Sequence, residues 1–156
     1  MRRDYFSLHT TGLDWVETDD APEQPALIID FEGPAAVLQE RMTGGGAELL
    51  EADELDVSFR FLTGVEDTDA KGVLSLSDRV TGEFILEVNA EADRIAPFVR
   101  VARRYGKLPD AESRYRVVVR IDGEDIVEYE KRTFLLYNAD GNLLRDQSLI
   151  PSGVEL

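Results

Sequence analysis

Asp67, Asp69 and Asp78 form the one metal-like pattern in this chain. Asp67-Thr-Asp69-Ala-Lys71-Gly72, with Asp78 at the twelfth position, spaces oxygen ligands as an EF-hand loop does. Lys71 occupies a ligand position, however, and the flanks read as strands, so an acidic turn before a strand is the plainer account and weak calcium binding the sharper one. Asn138, Asp140 and Asn142 also offer oxygens at alternate positions, which turn chemistry explains by itself. His9 is the only histidine, so a two-His metal site is excluded, and its outward place on a strand reads as surface. No cysteine is present, which removes disulfides, thiolate nucleophiles and Cys-ligated metals. Gly44-Gly45-Gly46 lacks the Lys-Ser/Thr of a phosphate loop and reads as a flexible connection. With 32 acidic residues, carboxylates close in sequence say nothing about glycosidase geometry. The residues therefore offer no catalytic constellation and call for no cofactor.

Two features suit a protein partner instead. Arg100, Arg103 and Arg104 give a helix a basic edge, which is either a solvated face or an anchor for an acidic partner or anionic ligand. The tail from Ser148 to Leu156 is apolar for a terminus: Leu149 and Ile150 complete a strand, while Val154 and Leu156 fit none and suit a docking peptide.

The elements that must carry these residues are mostly strands. Residues 114–142 hold the strongest signal, two β-branched and aromatic runs around Asp122-Gly123. A two-residue loop would set Val117 against Glu128. A three-residue loop, Ile121-Asp122-Gly123, instead pairs Arg120 with Glu124, Arg116 with Glu128 and Arg114 with Glu130, and on the other face Val117 with Val127 and Tyr115 with Tyr129. The apolar face decides between them, because burying a Val or aromatic is worth about 1.5–3 kcal/mol against roughly 0.2–1 kcal/mol for a cross-strand ion pair. A similar turn at Ala139-Asp140-Gly141 extends this into a three-stranded meander, 114–120, 124–138 and 142–149, bending near Lys131-Arg132.

Upstream, strands are expected at 4–10, 26–31, 55–62, 73–78 and 84–89, the last two a hairpin around Thr81-Gly82 with Leu74, Leu76, Phe84, Leu86 and Val88 as core. A short helix opens at Pro34 and runs to about residue 41. An amphipathic helix spans about 93–105, with Asp93 as cap, Ile95, Phe98, Val99, Ala102 and Tyr105 on one face, and Gly106 as stop.

The net charge is −15, and only Lys71, Lys107 and Lys131 of 17 basic residues are lysine. A surface of short carboxylates with little lysine suits solubility in concentrated salt, where self-repulsion is screened. The acidic balance disfavours nucleic acid, since the best arginine row already faces glutamate. No run of 18 apolar residues exists to span a membrane. Met1-Arg2-Arg3 has a twin-arginine flavour but no apolar region follows, which assigns the chain to the cytoplasm.

Three stretches resemble a small family of haloarchaeal proteins known as a domain of unknown function: Met1-Arg-Arg-Asp-Tyr-Phe6, Thr133 to Arg145, and Ser148-Leu-Ile-Pro-Ser-Gly-Val-Glu-Leu156. The resemblance runs over the whole chain and implies a salt-rich cytoplasm; it carries no functional residue with it.

These readings converge on one domain, residues 1–156, of α+β class: mainly antiparallel strands in two packed, sandwich-like sheets with two helices. The function expected is a non-catalytic binding or assembly module, acting on an unidentified protein partner or as a homo-oligomer. The alternative is a small-ligand protein or carboxylate-dependent enzyme whose site lies between sheet and the 93–105 helix.

Overall fold

The computed structural model describes residues 5–18, 20–44, 46–64 and 69–150. Alternating apolar residues produce strands β1 (Phe6–Thr11), β2 (Ala26–Phe31), β3 (Leu55–Phe61), β4 (Lys71–Asp78), β5 (Phe84–Glu91), β6 (Tyr115–Ile121), β7 (Glu124–Lys131) and β8 (Leu135–Tyr137). Helices are α1 (Trp15–Thr18), α2 (Ala35–Met42) and α3 (Ala92–Tyr105). The fold is α+β and mostly strand, as expected. The short α1 was not anticipated; four residues leave too little periodicity to read.

The strands form two sheets, ordered β1-β2-β6-β7 and β5-β4-β3-β8. Each is mixed rather than wholly antiparallel, because β2 runs parallel to β6 and β3 parallel to β8. Inward residues of both sheets, among them Leu27, Ile29, Val117 and Val119 from the first and Val57, Phe59, Leu74 and Leu76 from the second, join one buried cluster, consistent with sandwich-like packing. α3 contributes Ile95, Phe98, Val99 and Ala102 to it. Phe98 meets Tyr115 edge-on at 5.3 Å and Phe134 at 6.0 Å, and the Tyr115 hydroxyl donates to Thr133 O at 2.5 Å.

The expected hairpin forms, with another register. Its loop is Asp122-Gly123, both at positive φ (52° and 84°), with Ile121 opposite Glu124. That start alone would set Val117 against Glu128. A bulge at Ile126 supplies the missing residue, so Val119 faces Val127, Val117 faces Tyr129 and Tyr115 faces Lys131. The register differs by two residues from the one expected, and a shift of two leaves each side chain on its face: Tyr115, Val117 and Tyr129 are buried. Of the three expected ion pairs, Arg116–Glu128 forms, at 3.1 Å along the diagonal, while Arg120 turns to Asp125.

The meander is not formed. After Arg132 the chain leaves the first sheet, and β8 pairs with β3 in the second. Residues 142–149 meet it through isolated bridges, Tyr137 with Leu143 and Phe134 with Leu149, with a 3-10 turn at Arg145–Gln147 between. The turn before it is as read: Asn138 N donates to Asn142 O, and Gly141 takes φ 84°.

Three local expectations shift. Pro34 is the N-cap of α2 rather than its first helical residue. Glu91 occupies the N-cap of α3, leaving Asp93 in the first turn, where its charge still suits the helix dipole. Phe84 is not core: a bulge lies between the pairs Leu76–Leu86 and Ser77–Phe84, which buries Ile85 and turns Phe84 out, 54% exposed.

Candidate functional site

The residues singled out in the sequence do not come together. Asp67 lies outside the described residues. Asp69 precedes β4 and Asp78 ends it, so the strand holds them roughly 20 Å or more apart at about 3.3 Å per residue, too far to share an ion. Asp78 Oδ1 instead accepts from the Val80 and Thr81 N–H groups and caps the β4–β5 turn. Asn138 Oδ1 does the same for Asp140 and Asn142. His9 is exposed, its Nε2 3.2 Å from Asp30 Oδ2.

The arginines of α3 divide. Arg103 donates to the carbonyls of Asp146 (3.2 Å) and Ser148 (3.0 Å), fastening the closing segment, and Arg104 lies over the Trp15 ring at 5.7 Å. Arg100 is exposed. Val154 and Leu156 are outside the described residues.

Sequence reading passed over Lys131. The alternation of β7 turns it inward, 6% exposed, where Nζ donates to Ala52 O and Leu55 O at 2.6 Å each; Tyr129 beside it donates to Leu50 O at 2.8 Å. Burial pushes the Lys131 ammonium below its ordinary pKa, helped by Arg79 and opposed by Asp56 and Asp53. Two residues of one sheet thus hold the lead-in to the other. The exposed carboxylates of Glu51, Asp53 and Glu54 cluster on that segment, and Glu51 and Glu54 cap its 3-10 turn reciprocally.

The described residues also enclose concavities. The first, about 800 Å³, is a groove between α2 and the outer edge of β5. β5 ends its sheet, and Arg41 of α2 blunts that edge by donating to Phe84 O (3.3 Å) and Ile85 O (3.4 Å). Phe84 and Val37 (43% exposed) supply apolar surface, and Glu40, Asp78, Glu83 and Glu87 surround Arg41 with carboxylates. Gly44 also lines it, 3.1 Å from Asp78 Oδ2 for an added Cβ, so the glycine loop stands beside a carboxylate that repels phosphate. Phe84 fell in the expected core, and only its bulge makes it a surface residue.

The second, about 650 Å³, opens where the free edges of β1 and β5 approach each other below the start of α3. Arg94 crosses it to donate to Leu8 O at 2.8 Å. A smaller hollow of about 310 Å³ adjoins it, sharing Lys71 and Glu91.

No described helix is long and apolar enough to cross a membrane. No curated protein and no solved structure matches the chain. Residues 1–156 match the family of unknown function DUF5793 along their whole length, and to that family the chain belongs.

Proposed function

We propose that this is a non-catalytic binding module of a salt-rich cytoplasm, docking a cationic, apolar-anchored segment of a partner protein in the groove between α2 and β5. The observation that carries the reading is Phe84, an aromatic half in solvent beside Val37 on a sheet edge. Covering one such ring is worth about 1.5–3 kcal/mol, enough for an interface anchor. The sign of the partner follows from the lining: four carboxylates against one guanidinium that is already bonded to backbone. A second copy of this chain is a poor occupant, since it would set Glu40, Glu83 and Glu87 against themselves. In concentrated salt the screening length falls to about 3 Å, so charge acts only on contact and the ring supplies most of the affinity. Lysine depletion and the −15 charge support the salt-rich compartment.

The test uses a twelve-residue amphipathic Lys/Leu peptide with one Phe, labelled for fluorescence anisotropy, and a scrambled peptide of equal charge. Binding of the first, weakened about tenfold by Phe84→Ser and by Glu83→Lys with Glu87→Lys, supports the reading. Equal binding of the scrambled peptide, no binding, or a dimer in solution that Phe84→Ser dissolves overturns it.

A further inference from the structure

The cleft beneath α3 has a composition unlike the rest of the molecule. Phe6, Leu8, Leu62 and Ala90 give it an apolar wall, and Leu62, 45% exposed, has its open side here. Over that wall stand Arg94, Lys71 and His9 against one carboxylate, Glu91, in a chain of net charge −15. His9 is turned to Asp30. Arg94 is held across the opening by its bond to Leu8 O, which engages Nη1 alone of the three guanidinium nitrogens. The adjoining hollow reverses the balance, with Asp69, Glu91 and Asp93 around Lys71.

The poles are close. Lys71 opens β4 directly opposite Glu91 at the end of β5, and such cross-strand pairs bring Cβ atoms to about 5 Å. Among the described residues, no ion pair joins Lys71 to Glu91. A plain carboxylate entering here meets Arg94 and Lys71 but also Glu91; a plain amine meets the opposite conflict. One molecule bearing both charges a few bonds apart satisfies each pole.

We infer that the joined hollows bind a small zwitterion with an apolar side chain, the chemistry of a free aliphatic or aromatic α-amino acid. Its carboxylate takes Arg94 and Lys71, its ammonium takes Glu91 and Asp93, and its side chain lies on Phe6, Leu8 and Leu62. Cavities of this size, apolar with a few convergent polar groups, are the usual small-molecule sites. The site is separate from the α2–β5 groove, so either stands without the other.

Calorimetric titration of the full chain with L-leucine, 4-methylpentanoate and 3-methylbutylamine tests this. Saturable leucine binding is expected, with each single-charge analogue at least about tenfold weaker. Lys71→Gln and Glu91→Gln should each weaken leucine about tenfold, with thermal midpoint kept, because both side chains are exposed and Glu91 makes no side-chain cap bond. Phe84→Ser should leave leucine binding unchanged. Absence of saturation by leucine, equal affinity for leucine and 4-methylpentanoate, or unchanged binding in folded Lys71→Gln and Glu91→Gln overturns the inference.

Discussion

Lys131 Nζ stands 2.6 Å from the carbonyl oxygen of Leu55, so the last residue of β7 in one sheet is bonded to the first residue of β3 in the other. A second bond to Ala52 O and the neighbouring Tyr129–Leu50 bond make this a three-point latch between the sheets. Without the ammonium, two inward carbonyls lose their donor.

Lys131→Met is therefore expected to destabilise the protein by about 1–3 kcal/mol, the cost of buried acceptors left unpaired less the relief of a desolvated charge. Urea denaturation measures it. Lys107→Met, at an exposed position, should stay within about 0.5 kcal/mol.

Alkaline stability should track the buried tyrosines. Burial, with Glu54 nearby, pushes the Tyr129 hydroxyl from 10.0 up to about 12; burial, with Asp56 nearby, also pushes Tyr115 well above its ordinary value. A raised folded pKa means that the native state keeps its proton where the unfolded chain gives it up. The contribution is thus complete below the unfolded value and is lost as pH rises through the folded one. Unfolding free energy should fall between pH 10 and 12, and Tyr129→Phe should flatten that fall. Tyrosinate absorbance followed beside circular dichroism reads both; an unchanged slope in Tyr129→Phe would show that the fall has another source.

The bulge at Ile126 takes one residue of β7 out of the ladder. Its deletion leaves the pairs on either side of it in place, Arg120 with Asp125 and Val119 with Val127, and so removes the bulge while Val127 and Tyr129 keep their inward face. The deletion is therefore expected to keep a cooperative unfolding transition, at a cost of no more than about 3 kcal/mol by urea denaturation, and loss of that transition would show that the bulge itself is required. Ile126→Thr keeps the residue count and should cost less than about 1.5 kcal/mol.

Gly72 is demanded by contact, not by its own dihedrals. A Cβ there overlaps the Phe59 ring and the Arg60 carbonyl oxygen, so Gly72→Ala is expected to cost about 3 kcal/mol or more. Gly64→Ala, with nothing within 4 Å of the added Cβ, should be close to neutral in the same thermal melt.

Much of the fold is legible as period. β2 has the bounds its alternation announces, and α3 buries Ile95, Phe98, Val99 and Ala102 as their spacing requires, with Tyr105 only half-buried at the end. What escaped reading are the places where one residue is added or the chain changes sheets. Ile126 and Ile85 are ordinary strand residues, and nothing in their type says that the ladder will skip them. Phe84 was misplaced for that reason. Lys131 was overlooked because a lysine in alternation with Val127 and Tyr129 looks like a register error until two carbonyls are seen to receive it.

By itself the sequence determined most of the residues that face inward along the strands and α3, Phe84 and Lys131 excepted, because side-chain period is set by local backbone geometry and survives a two-residue slip. It also determined the acidic balance of the chain and the absence of cysteine. The tertiary structure alone decided which strands are neighbours, that β8 joins β3 instead of β7, and that Arg94, Lys71, Glu91 and Asp93 gather at one opening. Those outcomes depend on how two sheets share one core, and packing between segments far apart in the chain leaves no trace in the period of either.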